Sequence, residues 1–223
     1  MRNLIQRLWT DNRGIATSLM EATLVVTIAA VLSSVAVITT SDQVSEADTT
    51  SSTSEVKLIG VSILSFMQDT GYAPAYLNGD ATGPNDTITM IIQTEGSEPS
   101  DGTKTWPSDK SGRELLDNQI IHNNPGGSGI PYKRVGDFEW NKFKGWDGPY
   151  MSSLPDGDPW GDRYICNTGF GTSQGAAQAN LSTGKRPAVF CLSAGANRTI
   201  ETKYLQAADE FVSGGDDQIF RIQ

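Results

Sequence analysis

At 223 residues, with 17 Lys and Arg against 26 Asp and Glu and a formal net charge of -9, the chain has room for one or two domains. A hydrophobic share of 37% is too apolar for a disordered chain, while 23 Gly and 10 Pro are too irregular for a coiled coil. The acidic balance disfavours nucleic acid as a partner, and one His (His122) with two Cys (Cys166, Cys191) excludes a His/Cys zinc site and any catalytic triad not built on His122.

Residues 1–16 are net positive, carrying Arg2, Arg7 and Arg13 against Asp11, and the remainder is strongly acidic. Ala22 to Thr40 follows with no charge in 19 residues. As a helix it would span roughly 28 Å, close to the hydrocarbon thickness of a bilayer. The flanking charges orient such a span with its N-terminus in the cytoplasm. A cleaved secretory signal would have a shorter apolar region and a small-residue cleavage site beyond it. A plain signal anchor fits the length but gives no reason for Glu21 at the membrane boundary, where an ionisable group is costly and points to function.

A basic leader, a small residue and a Glu just inside a continuous apolar helix together resemble the class III signal of type IV pilins and type II secretion pseudopilins. SLMEATLVV is similar to the core of that signal, with Glu21 as its acidic residue. The resemblance implies that a prepilin peptidase removes the leader on the cytoplasmic side and that the new N-terminus is methylated, with Glu at the fifth mature position. That register makes Ala16 the last leader residue and Thr17 the first mature one; the alternative bond, Gly14–Ile15, follows the commoner Gly before the cut but leaves Glu21 out of register.

Beyond the apolar run, Val56, Ile59, Ile63, Phe66 and Met67 recur at three- and four-residue spacing, which predicts an amphipathic helix over 42–74. The Ser/Thr cluster at 49–54 is expected to loosen that helix or to start a new one capped by Ser52 or Thr53. DTGYAP (69–74) is similar to the turn that closes the corresponding helix in pseudopilins. Residues 75–144 read as a variable, loop-rich region. Within it ITMIIQ (88–93) has the pattern of a short strand and GRELLDNQIIH (112–122) that of a short helix, and His122 beside an Asn-Asn-Pro-Gly turn reads as a surface residue.

From Gly145 the chain writes Gly148-Pro149-Tyr150, a spacer, and then Asp158-Pro159-Trp160-Gly161 and Tyr164, resembling the major pseudopilin of type II secretion systems. Pro159 fixes φ, Gly161 permits a positive φ, and Trp160 is expected to cover apolar surface beside the first strand. RYICN and AVFCLS then read as strands joined by the connection 168–187, with DQIFRI as a third. The expected fold is α+β and pilin-like: a long N-terminal helix, transmembrane over 17–41 and amphipathic over 42–74, packed on a small antiparallel β-sheet head formed by 145–223.

Enzyme signatures fail. STGKR is not a phosphate loop, because Ala179 stands where the first Gly belongs and Arg186 where Ser or Thr belongs; DGDPWGD has the wrong spacing for an EF-hand. Asp156 and Asp158 would suit a hydrolase only at a separation that sequence does not set.

Cys166 and Cys191, both on predicted strands of an exported domain and with no competitor, are expected to form a disulfide. Two reduced thiols remain open if strand register holds their Cα atoms beyond about 7 Å. LSAGANRT (192–199) and GGDD (214–217) resemble the two segments that enclose a calcium ion in pseudopilins. The resemblance implies side-chain ligands Asn197, Asp216 and Asp217 and carbonyl ligands from Ala194 and Thr199, with Asn197 replacing the family's Asp. Glu201, Asp209 and Glu210 are rival ligands, and a metal-free acidic turn is the alternative.

The function that follows is a non-enzymatic structural subunit of a membrane-anchored helical filament, the pseudopilus of a type II secretion system or a related pilus. It implies as partners further copies of itself, other pseudopilins, an inner-membrane assembly platform and the prepilin peptidase, with the head in the periplasm or in an extracellular filament. The alternative is a monomeric, single-pass, membrane-tethered extracytoplasmic binding domain, for which a carboxylate at Glu21 has no use.

Overall fold

The computed structural model describes residues 43–80, 86–108, 112–137 and 144–223. The chain divides into two compact units, Met1–Ala47 and Asp48–Gln223. The expectations placed on Gly14, Ile15, Ala16, Thr17, Glu21 and the apolar run 22–40 lie outside the described residues. Among those described, no helix is long and apolar enough to cross a membrane.

Residues 43–70 form one long helix, α1. Its buried stripe is the expected one: Val56, Ile59, Ile63 and Phe66 are all but fully buried, with Met67 at the margin. The Ser/Thr cluster neither loosens α1 nor starts a new helix. The Thr53 and Ser54 hydroxyls donate to the Thr49 and Thr50 carbonyls one turn back, each at 2.8 Å, so these side chains sit within the helix instead of capping it. Packing of the adjacent apolar stripe outweighs their poor propensity. DTGYAP does close α1. Gly71 takes φ +79° and donates its N–H to the Met67 carbonyl at 2.9 Å, the left-handed stop for which glycine carries no steric cost.

Among the described residues seven short strands follow. β1 (Ile92–Gln93), β3 (Glu114–Leu115), β4 (Ile165–Cys166), β5 (Phe190–Ser193) and β7 (Gln218–Arg221) form one sheet in the order β3-β1-β4-β5-β7. β2 (Ser100–Asp101) and β6 (Thr199–Ile200) pair separately and in parallel. The head is therefore α+β, but its main sheet is mixed and not antiparallel as expected, because β3 runs parallel to β1. The segment read wholly as a helix begins with that strand, and only Leu116–Ile120 is helical (α2). The connection 94–113 is long enough for the crossover a parallel pair requires. Strands β1, β2 and β3 all come from the region read as loop-rich, so the sheet is not confined to 145–223.

Alternation along the strands divides the core in two. Ile92, Cys166 and Cys191 face the α1 side with Val56, Ile59, Ile63, Phe66 and Tyr164. Ile91, Ile165, Phe190 and Leu192 face the other side, where Trp106, Phe170 and Tyr204 cover them. Trp160, expected to cover apolar surface, is half-buried and belongs to neither cluster.

Cys166 and Cys191 are directly opposed in β4 and β5, with Cα atoms 4.0 Å apart, and are joined by a disulfide. The Asn167 N–H donates to the Phe190 carbonyl, so the neighbouring pair is the hydrogen-bonded one. The cysteines thus occupy a non-hydrogen-bonded pair, where facing side chains approach most closely.

Gly60 sits where α1 meets β7: a Cβ there would lie 1.9 Å from the Phe220 ring. Gly60→Ala gains about 1 kcal/mol of helix propensity but forces a ring held by its strand to move, an overpacking cost of about 1–3 kcal/mol. A net loss of about 1 kcal/mol in denaturant unfolding is expected. A more stable variant would show that Phe220 yields freely.

Candidate functional site

The site is built by the pairing of β5 with β7, whose register places Ser193 opposite Gln218. The segment leaving β5 (194–198) therefore runs beside the segment entering β7 (214–217). The Asn197 N–H donates to Asp216 Oδ2 at 3.0 Å, and the Glu201 and Thr202 N–H groups donate to Asp217 Oδ2 at 3.0 and 2.7 Å. Gly195 at φ +69° lets the chains touch, since a Cβ there would lie 2.5 Å from the Asp216 carbonyl oxygen. Two carboxylates of adjacent residues are thus held by backbone amides of the opposing loop.

Each has an oxygen left over. Asp216 Oδ1 and Asp217 Oδ1 are buried and have no hydrogen-bond partner, although Asp217 is only 8% exposed. Burial pushes the Asp217 carboxyl above the ordinary carboxylate range, and hydrogen bonds from Thr202 and Glu201 oppose the shift.

The Asp-Pro-Trp-Gly turn braces this loop through Ser193 and Arg198. Asp158, 5% exposed, accepts from the Trp160 and Asp162 N–H groups at 3.0 and 2.9 Å and from the Ser193 hydroxyl at 2.6 Å. Gly161 takes φ +86°, as its place in the turn required. Burial also raises the Asp158 carboxyl, with Ser193 the strongest opposing hydrogen bond. The fully buried Asp162 accepts Arg198 Nε and Nη2 at 2.9 and 2.6 Å, a bidentate clasp. It holds Arg198 at φ +56°, where a non-glycine residue needs support.

No family model matches this chain, and no curated protein or solved structure matches it.

The arrangement brings together Asn197, Asp216 and Asp217, as expected from the sequence, and adds Glu201. Its Oε2 accepts from Asn197 Nδ2 at 3.0 Å and from the Asp216 N–H at 3.3 Å. The other two rivals lie elsewhere, where Asp209 and Glu210 flank Lys185. Among the described residues no group of three or more His, Cys, Asp or Glu side chains is gathered so as to hold a metal ion. A cation here would depend on two aspartates together with neutral amide and carbonyl oxygens. Of the supporting acids, Asp158 is marked in the sequence as the first residue of the Asp-Pro-Trp-Gly turn and as half of a carboxylate pair with Asp156, but not as a brace for this loop. Asp162 is not marked at all, and its place just after Pro-Trp-Gly was the available signal. His122 is exposed and pairs with Asp117 at 2.9 Å on the surface of α2.

Proposed function

We propose that this chain is a structural subunit of a membrane-anchored helical filament, a pseudopilus of a type II secretion system or a related type IV pilus, whose assembly drives protein export. The observation that carries the reading is Glu21 at the head of an uncharged 19-residue run behind a basic leader. The apolar run leads toward α1, and a helix with one long buried stripe against a sheet supports the reading. Head-to-tail contacts that do not close generate such filaments. The small residues Ala29, Ala30, Ser33 and Ser34 suit close packing of the apolar helices.

In the same reading the C-terminal loop holds one calcium ion through Asn197, Asp216 and Asp217, with carbonyl oxygens of Ala194 and Thr199. The residues fit: two buried carboxylate oxygens without hydrogen-bond partners are hard donors of the kind calcium takes. Bound calcium supplies the positive charge that offsets the mutual repulsion of the two aspartates.

Co-expression with a prepilin peptidase tests the processing half of the proposal. Intact-mass measurement is expected to find the chain shortened by residues 1–16 and carrying a methyl group on Thr17. Cleavage after Gly14 would move the register, and an uncleaved chain would favour the tethered monomer.

A further inference from the structure

We infer that Glu201 is the positioning residue of the calcium loop, supplying the charge that an Asn at position 197 lacks and fixing which face of that amide offers its oxygen. The inference rests on the calcium reading above and concerns a residue outside the expected ligand set. Glu201 sits directly after β6 and touches all three side-chain ligands. Its N–H donates to Asp217 Oδ2, and its Oε2 accepts from both Asn197 Nδ2 and the Asp216 N–H.

Asn197 is thereby held from both ends. Its Oδ1 accepts from the Thr199 N–H at 2.7 Å while its Nδ2 faces the Glu201 carboxylate. Turning the amide over would set an NH2 against an N–H and an oxygen against a carboxylate. Without Glu201 only the Thr199 bond opposes that flip. The loop is shaped around the same side chain. At Gly215, which takes φ +43°, a Cβ would lie 1.3 Å from Glu201 Oε2, and at Gly214 it would lie 2.1 Å from the Glu201 carbonyl oxygen. The Gly-Gly pair before the aspartates is the room Glu201 needs.

Charge completes the case. Arg198, the cation within the loop, is already committed to Asp162, so it does not neutralise Glu201. Calcium affinity follows the charge count and rigidity of its ligands, and residues that orient ligands typically contribute about 10–100-fold to metal affinity.

The test titrates calcium into the detergent-solubilised full chain by calorimetry, with melting followed in excess chelator and in millimolar calcium. Glu201→Ala is expected to weaken calcium binding about 10-fold or more, and Glu201→Gln, which keeps an acceptor but loses the charge, by less. Asp209→Asn and Glu210→Gln should leave affinity unchanged. Asn197→Asp placed in the Glu201→Ala background should recover most of the loss, because a carboxylate has no amide to orient and restores the charge. The inference is overturned if Glu201→Ala binds calcium as the wild type does, or if it lowers the melting temperature equally in both conditions and Asn197→Asp gives no recovery. A wild-type chain that takes up no calcium would instead overturn the calcium reading itself, and this inference with it.

Discussion

Reducing the Cys166–Cys191 bridge is expected to lower the stability of the head by roughly 3.5 kcal/mol, the chain-entropy value for a closed loop of this size. The two cysteines are 25 residues apart, and the bridge ties β4 to β5 at the centre of the five-stranded sheet. Both flanking pairs retain their ladder, so the reduced head should fold to the same topology with a more open unfolded ensemble. For a domain of this length the loss corresponds to a fall of about 7–14 °C in Tm. Melting with and without reductant, set beside a Cys166→Ala/Cys191→Ala variant, measures it. Coincident curves would show that β-sheet pairing alone carries the head.

The parts of this fold legible in the sequence are those governed by local rules. The stripe from Val56 to Met67 has helical period and is buried as a stripe; Gly71 stops the helix by φ alone; Gly161 does the same in its turn. The two cysteine strands were legible because each is a short apolar run bounded by a Gly/Ala/Ser-rich connection. What escaped was decided by partners distant in the chain. Glu114 and Leu115 have no strand pattern of their own and become β3 because the Glu114 N–H reaches the Ile91 carbonyl across a 20-residue crossover. The Ser/Thr cluster is helical because Ser52 and Val56 are held against the head, a context that propensity does not contain.

The candidate loop divides in the same way. Asn197, Asp216 and Asp217 were found by their resemblance to a known pair of segments, and the β5–β7 register brings those segments side by side. The choice among Glu201, Asp209 and Glu210 was not available from the sequence, since all three lie on one connection. In the structure Lys185 pairs with the latter two, whereas the glycines at 214 and 215 leave room for Glu201 against the loop. The dependence of the loop on Asp158 and Asp162 was hidden because the turn that carries them is more than 30 residues away, Asp158 acting through a buried hydrogen bond from Ser193 and Asp162 through the clasp on Arg198.

The central claim, a filament subunit, depends on Glu21. In a filament core its carboxylate would pair with the α-ammonium of Thr17 on a neighbouring copy, away from water. Removing one partner of such a pair costs about 3–5 kcal/mol, equivalent to roughly two to four orders of magnitude in subunit association. The decisive measurement is the fraction of the chain recovered in sheared, sedimented filaments when it is expressed with its prepilin peptidase and assembly platform, for wild type and for Glu21→Ala. The account predicts that the wild type enters filaments, and that Glu21→Ala is processed, inserted and folded with an unchanged head melting temperature yet is almost absent from them. Recovery of Glu21→Ala in filaments at the wild-type level would contradict it, as would a processed wild-type chain that stays monomeric in the membrane.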